Sequence, residues 1–176
     1  MREYAIMLHT MTSEFKLESI KLVVGLGNPG RRYARTYHNA GRLAVRTFSD
    51  ASAIGFAPGP HFLNPEAFMN ESGPAVKRAL RTKPKTLLVV HDDTDLPLGS
   101  YRLAFGRGAA GHHGVESVIR ALGTKEFWRL RIGIRPPSLK NAKADAFVLR
   151  PMSKTAEAAV RNAAESFLAT HLRTPE

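Results

Sequence analysis

One histidine, one aspartate and a set of side-chain amides are the residues best suited to chemistry, and each lies beside a turn. His38 stands with Asn39 ahead of a helical stretch, Asp92 follows an aliphatic run, Asn28 lies between Gly27 and Pro29, and Asn70 sits in FMNESG, residues 68–73. A histidine acts as a general base on water when its second ring nitrogen is held. A buried carboxylate does this and stabilises the imidazolium that forms. Side-chain amides position a neutral ester or amide and donate to the oxyanion that grows on an attacked carbonyl, without adding charge. Together these types point to a hydrolytic site. Each has a plainer use: His38 as a cap or packing residue at a helix start, Asn28 and Asn70 as turn formers, Tyr33 and Phe68 as core, Asp93 and Asp95 as loop caps.

The elements that position them read as alternating strands and helices. Residues 21–24 (KLVV) form a buried strand that stops at a glycine-rich turn. A helix starts near His38, with Ala40, Leu43, Ala44 and Phe48 on its apolar face, and its positive end is expected to lower the histidine pKa. His61 to Leu63 reads as a short strand in an otherwise aperiodic stretch, 49–65. Ser72 is expected to cap a helix with Pro74 in its first turn. Residues 86–91 (TLLVVH) have the pattern of a central strand covered on both faces and ending in the acidic cluster Asp92, Asp93 and Asp95. A strand at 100–105 leads into the glycine-rich loop 106–114, a helix from Val115 closes at Gly123, and 129–134 is again a strand. Ser153 caps a last helix with a stripe from Ala156 to Leu168. The fold class is α/β: a single domain with a central mixed twisted sheet flanked by helices.

Composition narrows the partners. Lys and Arg outnumber Asp and Glu by 26 to 15, a formal charge of +11, so polyanions and nucleic acid above all are favoured. Cysteine is absent, which excludes disulfides, thiolate metal sites and a cysteine nucleophile. No apolar run approaches the roughly 18 residues that cross a bilayer, and no signal-peptide core follows a basic start, so no membrane association is expected. Glu3, Glu14 and Glu18 make residues 1–20 too acidic for an ordinary mitochondrial leader, and this segment reads as a frayed extension.

GLGNPG, residues 25–30, satisfies the G-x-G-x-x-G pattern of dinucleotide-binding folds. Such a site wants an acidic residue about 20 positions on to hold the ribose. None occurs between Glu18 and Asp50, an interval that instead carries Lys21, Arg31, Arg32, Arg35, Arg42 and Arg46. Pro29 also removes a backbone donor from the loop. His91, His112, His113 and the nearby aspartates are metal-ligand types, but their spacing across loops specifies no metal.

KLVVGLGNPG-x2-Y-x4-HNAG at 21–41, FMNESG at 68–73, HDDTDLPLG at 91–99 and RLRIGIRPP at 129–137 resemble, in order and spacing, the successive signatures of bacterial-type peptidyl-tRNA hydrolases. The likeness runs over residues 21–172, the expected domain. It implies that His38 is the catalytic base and Asp92 the carboxylate that holds it, with no cofactor and no metal. It implies that Asn28 senses the blocked amino group of the substrate, that Tyr33, Phe68 and Asn70 contact the tRNA 3′ end and peptide, and that Met69 lines the pocket. The expected partner is peptidyl-tRNA, gripped at a basic rim for which Arg31, Arg32, Arg35, Arg107 and Arg131 are candidates. The protein is expected to be a monomer with access to the ribosome, in the cytoplasm or alternatively the mitochondrial matrix.

Three departures from the family pattern stand out. His113 occupies the place of an asparagine that helps bind substrate and order water, and imidazole cannot present both ends of an amide. Ala104 falls where many relatives have a phosphate-holding lysine, for which Arg102 and Arg107 can substitute. The 49–65 link is shorter than the family's hairpin, and the chain ends soon after its last helix. These changes keep open a second class of function, a member of the fold that binds RNA without hydrolysis, as plant organelle splicing relatives do.

Overall fold

Two strand registers explain where the polar residues gather. In the computed structural model, which describes residues 15–52, 59–139, 143 and 147–171, five strands form one sheet: β1 (Leu22–Gly25), β2 (His61–Leu63), β3 (Leu87–Pro97), β4 (Tyr101–Phe105) and β5 (Trp128–Arg135). Their order is β2-β1-β3-β5-β4. All neighbours are parallel except β4, which runs antiparallel to β5 at one edge. Four helices cover the sheet among the described residues: α1 (Ala40–Ser52), α2 (Ser72–Ala79), α3 (His113–Leu122) and α4 (Lys154–His171).

Side chains alternate across a strand, so β1 and β3 must be apolar on both faces to be covered twice. Val23, Leu88, Val90, Leu130 and Ile132 pack with α1 and α4, around Phe48, Val160 and Phe167. Leu22, Val24, Leu87 and Val89 pack on the opposite side with Val76 of α2 and Val115 and Val118 of α3. Truncating a fully buried phenylalanine such as Phe167 costs about 3–5 kcal/mol. Strand β5 differs: its even positions are apolar, whereas Arg129, Arg131 and Arg135 alternate with them. Arg129 reaches the glycine-rich loop, its Nη1 donating to the Gly108 carbonyl at 2.9 Å.

Helix signals behave as local chemistry dictates. The Ser153 hydroxyl accepts from the Ala156 amide at 3.1 Å and caps α4. Gly123, at φ +69°, ends α3 in the left-handed conformation that glycine adopts without penalty.

Three expectations need correction. Ser72 is the first residue of α2 and not its cap, and its hydroxyl donates back to the Phe68 carbonyl at 3.3 Å. Strand β3 does not stop at the acidic cluster but runs through it to Pro97, paired with β5 without a break to Asp93↔Gly133 and, past an irregularity, again at Pro97↔Arg135. The arginines of β5 make this tolerable, because Arg131 Nε donates to Asp93 Oδ2 and Arg135 Nε to the Thr94 carbonyl. Finally, the frayed reading of residues 1–20 fails for the last of them. Phe15, Leu17 and Ile20 are buried, and Phe15 meets Trp128 edge-on with ring centroids 4.9 Å apart. The expectation for residues 1–14 lies outside the described residues.

Candidate active site

Parallel strands end on a common side, and the loops that follow β1 and β3 therefore open into one place, the usual position for a site in an open α/β sheet. A cleft of about 1100 Å³ lies there, walled by Asn28, His38, Met69, Asn70, Asp92 and His112 among others.

His38 sits in a single 3-10 turn, Tyr37–Asn39, that runs straight into α1. Its backbone is anchored by a bond from its own amide to the Val148 carbonyl at 2.7 Å. One glycine brings this turn to the sheet. A Cβ on Gly41 would collide with the Val90 carbonyl of β3, so only glycine lets α1 approach β3 closely enough for His38 to reach Asp92.

The imidazole Nδ1 of His38 lies 3.0 and 2.9 Å from the two carboxylate oxygens of Asp92. A carboxylate only accepts, so Nδ1 carries the proton and Nε2 is the basic nitrogen. Burial works to lower the His38 pKa, and the charge and hydrogen bond of Asp92 outweigh it, leaving the pKa raised. This reverses the expectation from the helix end: a full negative charge in contact overrides a partial positive one.

Asp92 has a second partner. His112 Nε2 lies 3.0 Å from Asp92 Oδ1, while the Nδ1 of the same ring accepts the Val115 amide at 3.3 Å as the side-chain cap of α3. A nitrogen that accepts an amide proton carries none of its own, so the His112 proton is on Nε2 and points at Asp92. Burial favours the protonated acid, but His112 and His38 together hold the Asp92 carboxyl far below the usual carboxylate range. The aspartate is thus an ion with two ring N–H donors. A third histidine, His91, is buried and donates from Nδ1 to the Asp92 backbone carbonyl at 2.8 Å. Burial, then the neighbouring His112, push its pKa well down.

The amides form a second layer. Asn28 and Asn39 bond reciprocally, the Asn28 amide to Asn39 Oδ1 at 2.8 Å and Asn39 Nδ2 to the Asn28 carbonyl at 2.9 Å. The Asn28 side-chain oxygen accepts the Met69 amide at 2.8 Å. Its oxygen committed, Asn28 has its NH2 end to offer the cleft.

Not every expected residue meets at this point. Tyr33 and Phe68 lie outside the cleft wall and touch each other edge-to-face, centroids 6.3 Å apart, with Phe68 half exposed. His113 reaches the cleft at its rim, but its side chain is 75% exposed and faces Glu116 at 3.7 Å, so the ring that serves Asp92 is His112. Sequence reading singles out His113 as the altered position and offers His112 only as a metal-ligand type, not as a partner of Asp92. Arg131 lines the cleft with its Nε on Asp93, and Asp93 also accepts the Asp95 amide at 2.8 Å. Arg35 is paired with Glu157. Arg129 is buried, and burial with the charges of Arg131 and Arg107 brings its pKa down to about 10.

The ligand atoms of His38, Asp92 and His112 lie within 4.8 Å of one another, a set that includes His38, which the sequence-based candidates His91, His112, His113 and the nearby aspartates leave out. His38 Nδ1 and His112 Nε2, the ring nitrogens nearest Asp92, carry the protons bonded to it, so a metal bound between these atoms would have to displace both.

The family model described as peptidyl-tRNA hydrolase matches residues 22–173. The chain belongs to the peptidyl-tRNA hydrolase family. A peptidyl-tRNA hydrolase of Nitrosospira multiformis is 42% identical over 163 residues, covering 82% of this chain and 85% of the relative. One of Coxiella burnetii is 39% identical over 164 residues, covering 85% and 87%. The crystal structure of peptidyl-tRNA hydrolase from Acinetobacter baumannii superposes with a TM-score of 0.74 at 29% identity, covering 90% of this chain and 89% of that one. Within the peptidyl-tRNA hydrolase family, then, both the sequence and the sheet with its flanking helices have counterparts.

Proposed function

We propose that this chain hydrolyses the ester of peptidyl-tRNA, releasing free tRNA and peptide, with His38 as the base and Asp92 as its anchor. The observation that carries this is the contact of His38 Nδ1 with the Asp92 carboxylate at the wall of a large cleft, which leaves Nε2 basic. Nε2 takes a proton from water while the oxygen attacks the ester carbonyl. The carbon–oxygen bond to the terminal ribose then breaks, and the imidazolium returns its proton to the departing 3′ oxygen. Such base assistance is worth about two to four orders of magnitude in rate. His112 keeps Asp92 ionised and aimed.

The amide NH2 of Asn28 donates to the substrate carbonyl beside the blocked amino group, and Asn70 and Met69 line the peptide side of the cleft. Tyr33 and Phe68 offer a ring pair beside the cleft for the tRNA 3′ end. A guanidinium has five N–H donors, so the Asp93 bond of Arg131 leaves others for a phosphate, and His113 at the rim is placed for the same strand. Residues 21–172 are the catalytic unit. tRNA is the partner, and the protein acts as a cytoplasmic monomer. Among the described residues no helix is long and apolar enough to cross a membrane.

The test is incubation with N-acetyl-aminoacyl-tRNA. Release of free tRNA that vanishes in His38→Ala supports the enzyme. Salt-sensitive RNA binding without turnover would put the chain among members of the fold that only bind RNA.

A further inference from the structure

Several arginines are held by carboxylates, and the densest run of positive charge in the sequence lies away from the cleft. Arg35, Arg42 and Arg131 each hold a carboxylate. By contrast, residues 77–85 (KRALRTKPK) carry five cations, Lys77, Arg78, Arg81, Lys83 and Lys85, and no Asp or Glu occurs between Glu71 and Asp92. All five are exposed or partly so, as are Lys21 and Lys125. Among the described residues none of these seven is in an ion pair with a carboxylate.

The sheet gathers them at one edge. Lys21 immediately precedes β1, the turn Pro84–Thr86 immediately precedes β3, and Lys125 lies just before β5. The Lys21 amide donates to the Thr86 carbonyl at 2.8 Å, and the registers Leu22↔Leu87 and Leu88↔Trp128 align the three starts. Six residues, five of them in β3, separate Lys85 from Asp92, about 20 Å. The charged edge is therefore where the parallel strands begin, and the cleft is where they end.

Lys77 and Arg78 have a local purpose in the last turn of α2, where cations complement the carbonyl end of the helix. Lys21, Arg81, Lys83, Lys85 and Lys125 lie outside any α-helix. Glu18 and Glu126 are the only carboxylates in the flanking turns of residues 17–19 and 124–127, so the balance remains strongly positive.

We infer that this strand-starting edge is a second RNA contact, one that takes the phosphate backbone of helical RNA independently of the cleft. Three features select this occupant. The run contains no aromatic residue to stack on unpaired bases, which single-strand binding uses. It has no large exposed hydrophobic residue to anchor a protein partner or a membrane, since those described are Phe68 and Leu149, both elsewhere. Exposed lysines and arginines without base-reading geometry suit phosphates and a shape-specific, sequence-tolerant contact. The inference does not rest on the catalytic reading.

The experiment compares the wild-type chain with the fourfold variant R81Q/K83Q/K85Q/K125Q. Binding of a fluorescent RNA hairpin lacking a 3′ single-stranded end is followed by anisotropy across a salt series, and turnover of an N-acetyl-aminoacyl ester of the trinucleotide CCA is followed alongside. The variant is expected to bind the hairpin at least tenfold more weakly at 0.1 M salt. The slope of log affinity against log salt should be shallower by about 3.6, since each of four phosphates left unneutralised takes away roughly 0.9. Turnover of the short ester is expected to stay within twofold, and excess hairpin should not inhibit it in the wild type. The charge-conserving variant R81K/K83R/K85R/K125R should bind as the wild type does, which separates the effect of charge from that of folding. Unchanged hairpin affinity and salt slope in the glutamine variant would overturn the inference. So would competition between hairpin and short ester, which places the RNA in the cleft, or tighter binding of polyglutamate or anionic vesicles than of the hairpin.

Discussion

His38 and His112 grip one carboxylate: His38 Nδ1 lies 2.9 Å from Oδ2 and 3.0 Å from Oδ1 of Asp92, and His112 Nε2 lies 3.0 Å from Oδ1. The carboxylate is therefore held from two sides, by a turn leading into α1 and by the cap of α3, and it cannot swing away from the base without breaking a second bond. Removing the base itself should cost most. His38→Ala is expected to lower kcat for N-acetyl-aminoacyl-tRNA by about 100- to 10,000-fold with little change in thermal midpoint, as read by tRNA release and a melting curve.

The pH profile follows from the raised His38 pKa. Base catalysis needs the neutral ring, so kcat/KM should fall as pH drops through a value above the ordinary histidine pKa of about 6.5. In Asp92→Asn the carboxylate that raises it is gone and the burial that lowers it remains, so the acid limb should move to lower pH. The ceiling should also fall by at least about 100-fold, because a neutral amide cannot stabilise an imidazolium as an anion does, and its NH2 end cannot accept from a ring N–H. An acid limb that stays in place in Asp92→Asn would detach the two residues.

Stability should fall on acidification, and part of that fall belongs to His91. Its folded pKa is depressed, so the stabilisation is complete above the unfolded value of about 6.5 and is lost as pH falls below it, since the unfolded chain takes up a proton that the folded ring refuses. Asp92 contributes with the same sign at lower pH, from about 4 downward. His38 has the opposite sign, its raised pKa adding stability below about 6.5 that is lost as pH rises through the folded value. His91→Asn keeps a donor at the reach of Nδ1 but cannot titrate. Its urea midpoint should change less between pH 7 and pH 5 than that of the wild type.

His112→Ala removes a helix cap and a donor to Asp92 together. The cap alone is worth about 0.5–2 kcal/mol, visible in urea unfolding, and kcat should fall while KM holds. His113→Ala, at the exposed neighbour, should leave stability within about 0.5 kcal/mol.

Asn28→Asp separates the two ends of one amide. The oxygen that accepts the Met69 amide is kept, and the NH2 offered to the cleft becomes a carboxylate. The fold should persist while kcat/KM drops at least about tenfold, the scale of one missing hydrogen bond to substrate. Asn28→Ala should lose stability as well.

Much of the architecture is legible along the chain because its signals are local. Two-sided aliphatic runs foretell β1 and β3, Gly123 foretells the end of α3, and Ser153 the start of α4. The partnership of His38 with Asp92 is legible through residue type and position beside turns. Which of two adjacent histidines faces Asp92 is not, because that depends on the path of the glycine-rich loop, where Ala110 and Gly111 both take positive φ. The continuation of β3 through three aspartates is hidden for a different reason. Its permission comes from arginines on β5, some 40 positions away, and no local pattern around Asp92 announces them.

The reciprocal bonds between Asn28 and Asn39 carry a mechanical consequence. Asn39 is the next residue after His38, and Asn28 is tied in turn to the Met69 amide, so three stretches far apart in the chain behave as a single wedge. Anything that tilts the Asn28 amide must tilt the His38 imidazole as well, so the two roles proposed for them, recognition and proton abstraction, would travel on one rigid body.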